Sequence, residues 1–227
     1  MKIKKPLIII ISLFLLYSIN TYAQDIKANN AFKINSLDLS LSVNDDHLAV
    51  PCALSKLIQD GWSISDKPPY FFTFFAQSDY YAARANLSLT KDGTGILDGG
   101  SIIRLLQKDG VFIEVRISNQ SSGDRPYIKI EDGVVTSITA IYDKNCSSIK
   151  LNNKELRSLT QQTLFNDYTR ENNYEHIPTN YKNHPEFGIS LEHTIEQLLD
   201  NHKLSISVYF NLENKPFMIE IVNKRPL

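Results

Sequence analysis

The sequence predicts an antiparallel α+β fold in which about three short helices accompany one or two sheets. Three observations lead there. Apolar residues recur at every second position through much of residues 86–142 and again through 204–221, which is the period of half-buried strands. Of nine glycines, five follow aspartate, at Gly61, Gly93, Gly99, Gly110 and Gly133, and Asp-Gly supplies the positive φ that tight hairpin turns need. Helical spacing is confined to three short windows, after Pro51, after Asn152 and after Ser190.

In chain order, Leu37, Leu39, Leu41 and Val43 alternate and read as an edge strand. Pro51 opens a first helix with Leu54, Leu57 and Ile58 on one face, and Gly61 ends it where a left-handed residue is wanted. Trp62, the single tryptophan, then folds back as a core plug. Leu87 and Leu89, the run Ile102 to Leu106, the alternation Val111 to Ile117, the pair Ile128 and Ile130, and Val134 to Tyr142 form a meander. Asp109-Gly110 and Asp132-Gly133 are its best hairpin turns. Asn152 and Glu155 fit a capping box, with Leu151 and Leu156 as a hydrophobic staple, for a second helix reaching about Tyr168. Ser190 caps a third, whose Leu191, Ile195, Leu198 and Leu199 form one stripe. Leu204, Ile206, Val208 and Phe210 then pair with Phe217, Ile219 and Ile221 across Glu213 to Pro216. Helix followed by strands thus occurs twice, and predicts two modules, 24–145 and 146–227, able to pack as one domain.

The pattern Pro51, Leu57, Gly61-Trp62, then Val111 to Asn119, Val134 to Ile138 and Val208-Tyr209-Phe210 resembles secreted bacterial proteins of unknown function. Their layout is similar to the tandem helix-plus-sheet modules of beta-lactamase-inhibitor-like and small outer-membrane assembly proteins. The resemblance implies a binding or inhibitory role rather than catalysis.

Residues 1–23 read as a secretory signal peptide. Lys2, Lys4 and Lys5 precede an apolar run from Pro6 to Leu16 broken only by Ser12, and Thr21-Tyr22-Ala23 ends in small residues suited to cleavage. The core is too short to span a bilayer of roughly 30 Å, so a released, periplasmic or secreted chain from Gln24 to Leu227 is expected. Losing three lysines leaves 21 basic against 25 acidic residues. With no concentrated basic face, nucleic acid is excluded as a partner. The 42% apolar and 22% charged content is that of a packed globule.

Cys52 and Cys146 are the only cysteines. In an oxidising compartment a lone pair reads as a disulfide closing a loop of about 95 residues, with two buried thiols as the alternative and a nucleophilic Cys52 as a remote third. Catalytic signatures such as G-x-S-x-G, H-E-x-x-H, C-x-x-C and the P-loop are absent from the sequence, and no cofactor or metal is expected. A late cluster of Glu175, His176, His184, Glu186, Glu192, His193, Glu196 and His202 is the one place a hydrolase could be built. His193 and Glu196 would stand one helical turn apart.

The feature that structure explains least is aromatic. Seven of the residues from Tyr70 to Tyr81 are Tyr or Phe. Tyr70 to Phe75 can be a strand buried on both faces, or part of an exposed contact surface. Tyr70, Tyr80, Tyr81 and Arg84 are the expected partner-binding residues, since Tyr and Arg are the enriched anchors of binding surfaces. The leading expectation is an exported binding or inhibitor module acting on a protein or envelope component. The alternatives are an envelope assembly factor pairing through Leu37 to Val43 and a secreted hydrolase.

Overall fold

The structure, a computed structural model, describes residues 41–66, 86–121, 125–161, 163, 175–184, 188–199 and 202–224, with 175–184 and 188–199 described through their backbone. Its elements in order are β1 (Leu41–Val43), β2 (Asp46–Leu48), β3 (Cys52–Ala53), α1 (Leu54–Gln59), β4 (Ser63–Ile64), β5 (Gly95–Leu97), β6 (Ser101–Lys108), β7 (Val111–Ser118), β8 (Tyr127–Lys129), β9 (Val134–Ile141), β10 (Ile149–Leu151), β11 (Lys154–Glu155), β12 (Glu175–His184), β13 (Gly188–Leu199), β14 (His202–Phe210) and β15 (Pro216–Lys224). Turns of 3-10 helix follow β8 and β11. This is a mainly β fold in which α1 is the one helix described along its length, with Gln161 and Thr163 as further helical positions, not the α+β arrangement with three helices.

The largest sheet runs β12-β13-β14-β15-β9-β7-β6-β4, with β3 added on β9. Every pairing in it is antiparallel. One face is apolar across the strands. Val115 lies opposite Ile138, Ile138 opposite Ile221, and Ile221 opposite Ile206, and all four are buried. The β9–β15 pair joins the two expected modules in one continuous sheet, and residues 40–227 form one compact unit. A second sheet, β11-β10-β1-β2, buries Leu41, Val43, Leu48, Ile149 and Leu151. β5 and β8 form a third.

Turn chemistry explains which expectations fail. Asp109-Gly110 makes the expected two-residue turn between β6 and β7, with φ of 51° and 79°. Asp132-Gly133 does not: it ends a 3-10 turn, and glycine is required because a Cβ there would stand 2.3 Å from Ile117 Cγ2. The second helix is absent where it was to begin. Asn152 and Asn153 take φ of 51° and 62° and turn β10 into β11, since asparagine tolerates the left-handed region that a mirror-image hairpin turn demands. Residues 164–168 lie outside the described part of the chain. We expect Asn153→Ala to destabilise by about 1 kcal/mol or more, because a Cβ-bearing residue other than Asn is strained at this positive φ, whereas in a helix alanine would stabilise by about 0.5 kcal/mol. Thermal unfolding of the variant separates the two.

The third helix is also a strand. β13 pairs with β14 from Leu191 to Leu199, Ile195 opposite Ile206 and Leu191 opposite Phe210. Outside it, β12 carries Pro178 at a register shift between Ile177 and Asn180, and an end strand is where a sheet tolerates proline. The helix after β3 begins at Leu54 rather than Pro51 because Cys52 is extended and paired with Val135. Leu54 and Leu57 are buried as expected, while Ile58 is exposed. Its end matches the sequence reading: Gly61 takes φ 95°, its N–H bonds Ile58 O, and the Trp62 N–H bonds Leu57 O at 3.0 Å. That double bond pattern is a Schellman cap, and it turns Trp62 into the core, 2% exposed. The expected edge strand is internal in its described part. Leu41–Val43 pairs with β10 on one side and β2 on the other.

Candidate functional site

Cys52 and Cys146 are free, buried thiols, so the expected disulfide is corrected. The register gives the reason. Cys52 sits opposite Val135 near the start of β9, whereas Cys146 lies five residues past the end of that strand at Ile141. Burial pushes both thiols up to about 12. Burial thus disfavours the thiolate that a nucleophilic Cys52 would need.

The late acids and histidines are distributed along three strands. Glu175 lies opposite Glu196, His176 opposite Ile195, His193 opposite Val208, and Leu199 opposite His202. His193 and Glu196 are three residues apart on β13, about 10 Å of extended backbone instead of one helical turn, so the spacing that suggested a shared ligand is gone. Glu186 lies outside the described residues.

A dense polar knot forms at the end of β9. Glu155 accepts from the Tyr142 hydroxyl, from Ser148 Oγ at 2.8 Å and from the Ile149 amide at 3.3 Å. The Arg157 guanidinium covers the Tyr142 ring at 4.0 Å from its centroid. Burial raises the Tyr142 phenol above its ordinary value, as does Glu155 beside it. Burial also raises the Glu155 carboxyl, but its hydrogen bonds and nearby Lys150 outweigh this and hold it below its usual 4.5. A depressed carboxyl contributes stability above its unfolded-state value and loses it as pH falls through the folded one. Relative to Glu155→Gln, the native chain should therefore unfold at higher urea at neutral pH. That advantage should close as pH drops below about 4.5; a gap that stays constant there would refute the role. The knot ties β9, β10 and β11 together, and its groups are committed to that task.

The surface feature left over is apolar. Five large hydrophobic residues are exposed among those described, and three of them gather around β5 and β8: Leu87 at 72%, Leu97 at 43% and Tyr127 at 49%. Leu97 and Tyr127 are cross-strand partners. The Leu97 N–H donates to Ser88 O at 2.8 Å, placing the Asn86–Leu87 turn beside them. Gly95 keeps this arrangement close-packed, since a Cβ on it would lie 2.7 Å from Tyr127 Cδ2. Below the patch, Ile96 is fully buried, and its carbonyl accepts from the Asn119 amide at 3.0 Å. The pair is thus held on a small sheet anchored to the core. Arg125 and Lys129, two residues to either side of Tyr127, are also exposed.

The expected binding residues Tyr70, Tyr80, Tyr81 and Arg84 lie outside the described residues. The sequence reading placed Ile128 and Ile130 on a strand here but overlooked Tyr127 and Leu97. The signal was present: from Arg125 to Ile130, polar or aromatic residues alternate with Pro126, Ile128 and Ile130, as they do on a strand with one solvent side. Among the described residues no group of three or more His, Cys, Asp or Glu is placed to hold a metal ion, and no helix is long and apolar enough to cross a membrane. No family model matches the chain, and no curated protein or solved structure matches it.

Proposed function

We propose that this chain is an exported binding or inhibitor module that contacts another protein or an envelope component. Export rests on the basic start, apolar core and small-residue end of residues 1–23. The contact rests on one observation above the others: Tyr127 and Leu97, cross-strand neighbours about half exposed at 49% and 43%, stand on a two-stranded sheet. Large apolar side chains on a soluble surface need no explanation singly, but a grouped set with Tyr and Arg has the composition of a contact site. Tyr80, Tyr81 and Arg84 precede Leu87 in the chain by three to seven residues.

The test is capture from envelope and culture fractions with the processed chain, beside Tyr127→Ala and Tyr80→Ala/Tyr81→Ala variants that keep the native circular dichroism. A partner held by the native chain should be lost or weakened at least about tenfold by Tyr127→Ala, the scale of one anchor residue. Capture unaffected by every variant would remove this surface from the account.

A further inference from the structure

The outer edge of β8 narrows what kind of partner that surface takes, an inference that rests on the binding reading. Asp98 N–H donates to Pro126 O at 3.1 Å, and Ile130 N–H donates to Thr94 O at 3.4 Å. Antiparallel ladders alternate residue by residue, so the even-numbered residues 126, 128 and 130 direct their backbone groups toward β5. Tyr127 therefore directs its N–H and C=O the other way, as Lys129 does its N–H, while the Lys129 C=O opens the 3-10 turn that follows β8. β8 is an end strand of its sheet, and among the described residues no strand pairs with that side.

Side chains add register and charge to this edge. Arg125, Tyr127 and Lys129 are all exposed and follow one another at two-residue steps of roughly 6.7 Å. The two cations flank an aromatic ring that already rests over Gly95 and beside Leu97. The long end strand β12 is interrupted by Pro178 and a register shift, devices that discourage strand pairing. β8 is regular over its three residues and ends where the 3-10 turn begins at Ile130.

We propose that the open edge of β8 accepts an extended peptide of a partner protein by strand addition. Acidic side chains four residues apart would meet Arg125 and Lys129, and an apolar residue midway would pack on Tyr127. Main-chain bonds supply much of the affinity in this mode, and the side chains choose the partner.

Calorimetric titration of the processed chain with three synthetic seven-residue peptides tests it. The first has glutamates at positions two and six and valine at four; the second has lysines in place of the glutamates; the third is the first with alternate amides N-methylated. The first should bind at least about tenfold more tightly than either other, the scale of a lost charge-assisted bond or two. Arg125→Glu/Lys129→Glu should invert the preference between the first two peptides. Equal binding of the N-methylated peptide, an order unchanged by the charge reversal, or no binding of the acidic peptide each overturns strand addition. If strand addition fails while Tyr127→Ala still abolishes capture from envelope fractions, the binding surface stands without it; if that variant also changes nothing, both readings fall together.

Discussion

Replacing Trp62 by alanine is expected to lower stability by about 3–5 kcal/mol, the cost of deleting a buried large aromatic side chain and leaving a cavity. The position explains why the loss should fall at the high end. Trp62 is only 2% exposed, and its backbone is held by the hydrogen bond its N–H donates to Leu57 O, which closes the helix cap, so the site resists collapse by movement of the chain. The indole Nε1 is buried without a hydrogen-bond partner among the described residues. A buried donor in that state costs about 1–3 kcal/mol. Trp62→Phe should therefore lose much less than Trp62→Ala, because it retains most of the packing and removes the unpaired N–H. Urea unfolding followed by far-ultraviolet circular dichroism measures both variants. An alanine variant within about 1 kcal/mol of the native chain would mean that Trp62 is not the plug described.

The parts of the fold that were legible in the sequence are those in which two signals coincide. Asp109-Gly110 lies between two alternating runs, and Gly61-Trp62 ends a short amphipathic turn, so pattern and punctuation agreed. The last two strands alternate without interruption. The failures have a common physical origin. Asn152 and Glu155 have the residue types of a capping box, but asparagine is equally suited to positive φ, and Asn152-Asn153 occupies that region instead. In Gly188–Leu199, spacings of four and eight satisfy the periods of helix and strand alike. Leu191, Ile195 and Leu199 could not decide between them; Ile189, another odd position, favours the strand. Pairing with β14 over nine residues settles the matter, and such pairing is a long-range property that a local window does not contain. The candidate site was half visible. Its strand was read from Ile128 and Ile130, the half-buried side, with Ile130 in the 3-10 turn that follows, while its exposed side required knowing that β8 ends its sheet.

Ile219→Ala should cost about 2–5 kcal/mol and should do so everywhere in the sheet at once. Ile219 is completely buried and lies opposite both Ala140 on β9 and Val208 on β14. It therefore stands at the seam between the strands of residues 101–141 and those of 188–224. Two modules meeting at residues 145 and 146 would unfold separately, and a cavity in the second would leave the first untouched. A sheet hydrogen-bonded through β9–β15 should instead unfold as one cooperative unit. The single tryptophan makes the distinction measurable, because Trp62 reports on the amino-terminal half while circular dichroism reports on all strands. The expected result is the same downward shift of the urea midpoint by both probes. A Trp62 transition that keeps its native midpoint, beside a biphasic circular dichroism curve, would show that the seam does not couple the halves.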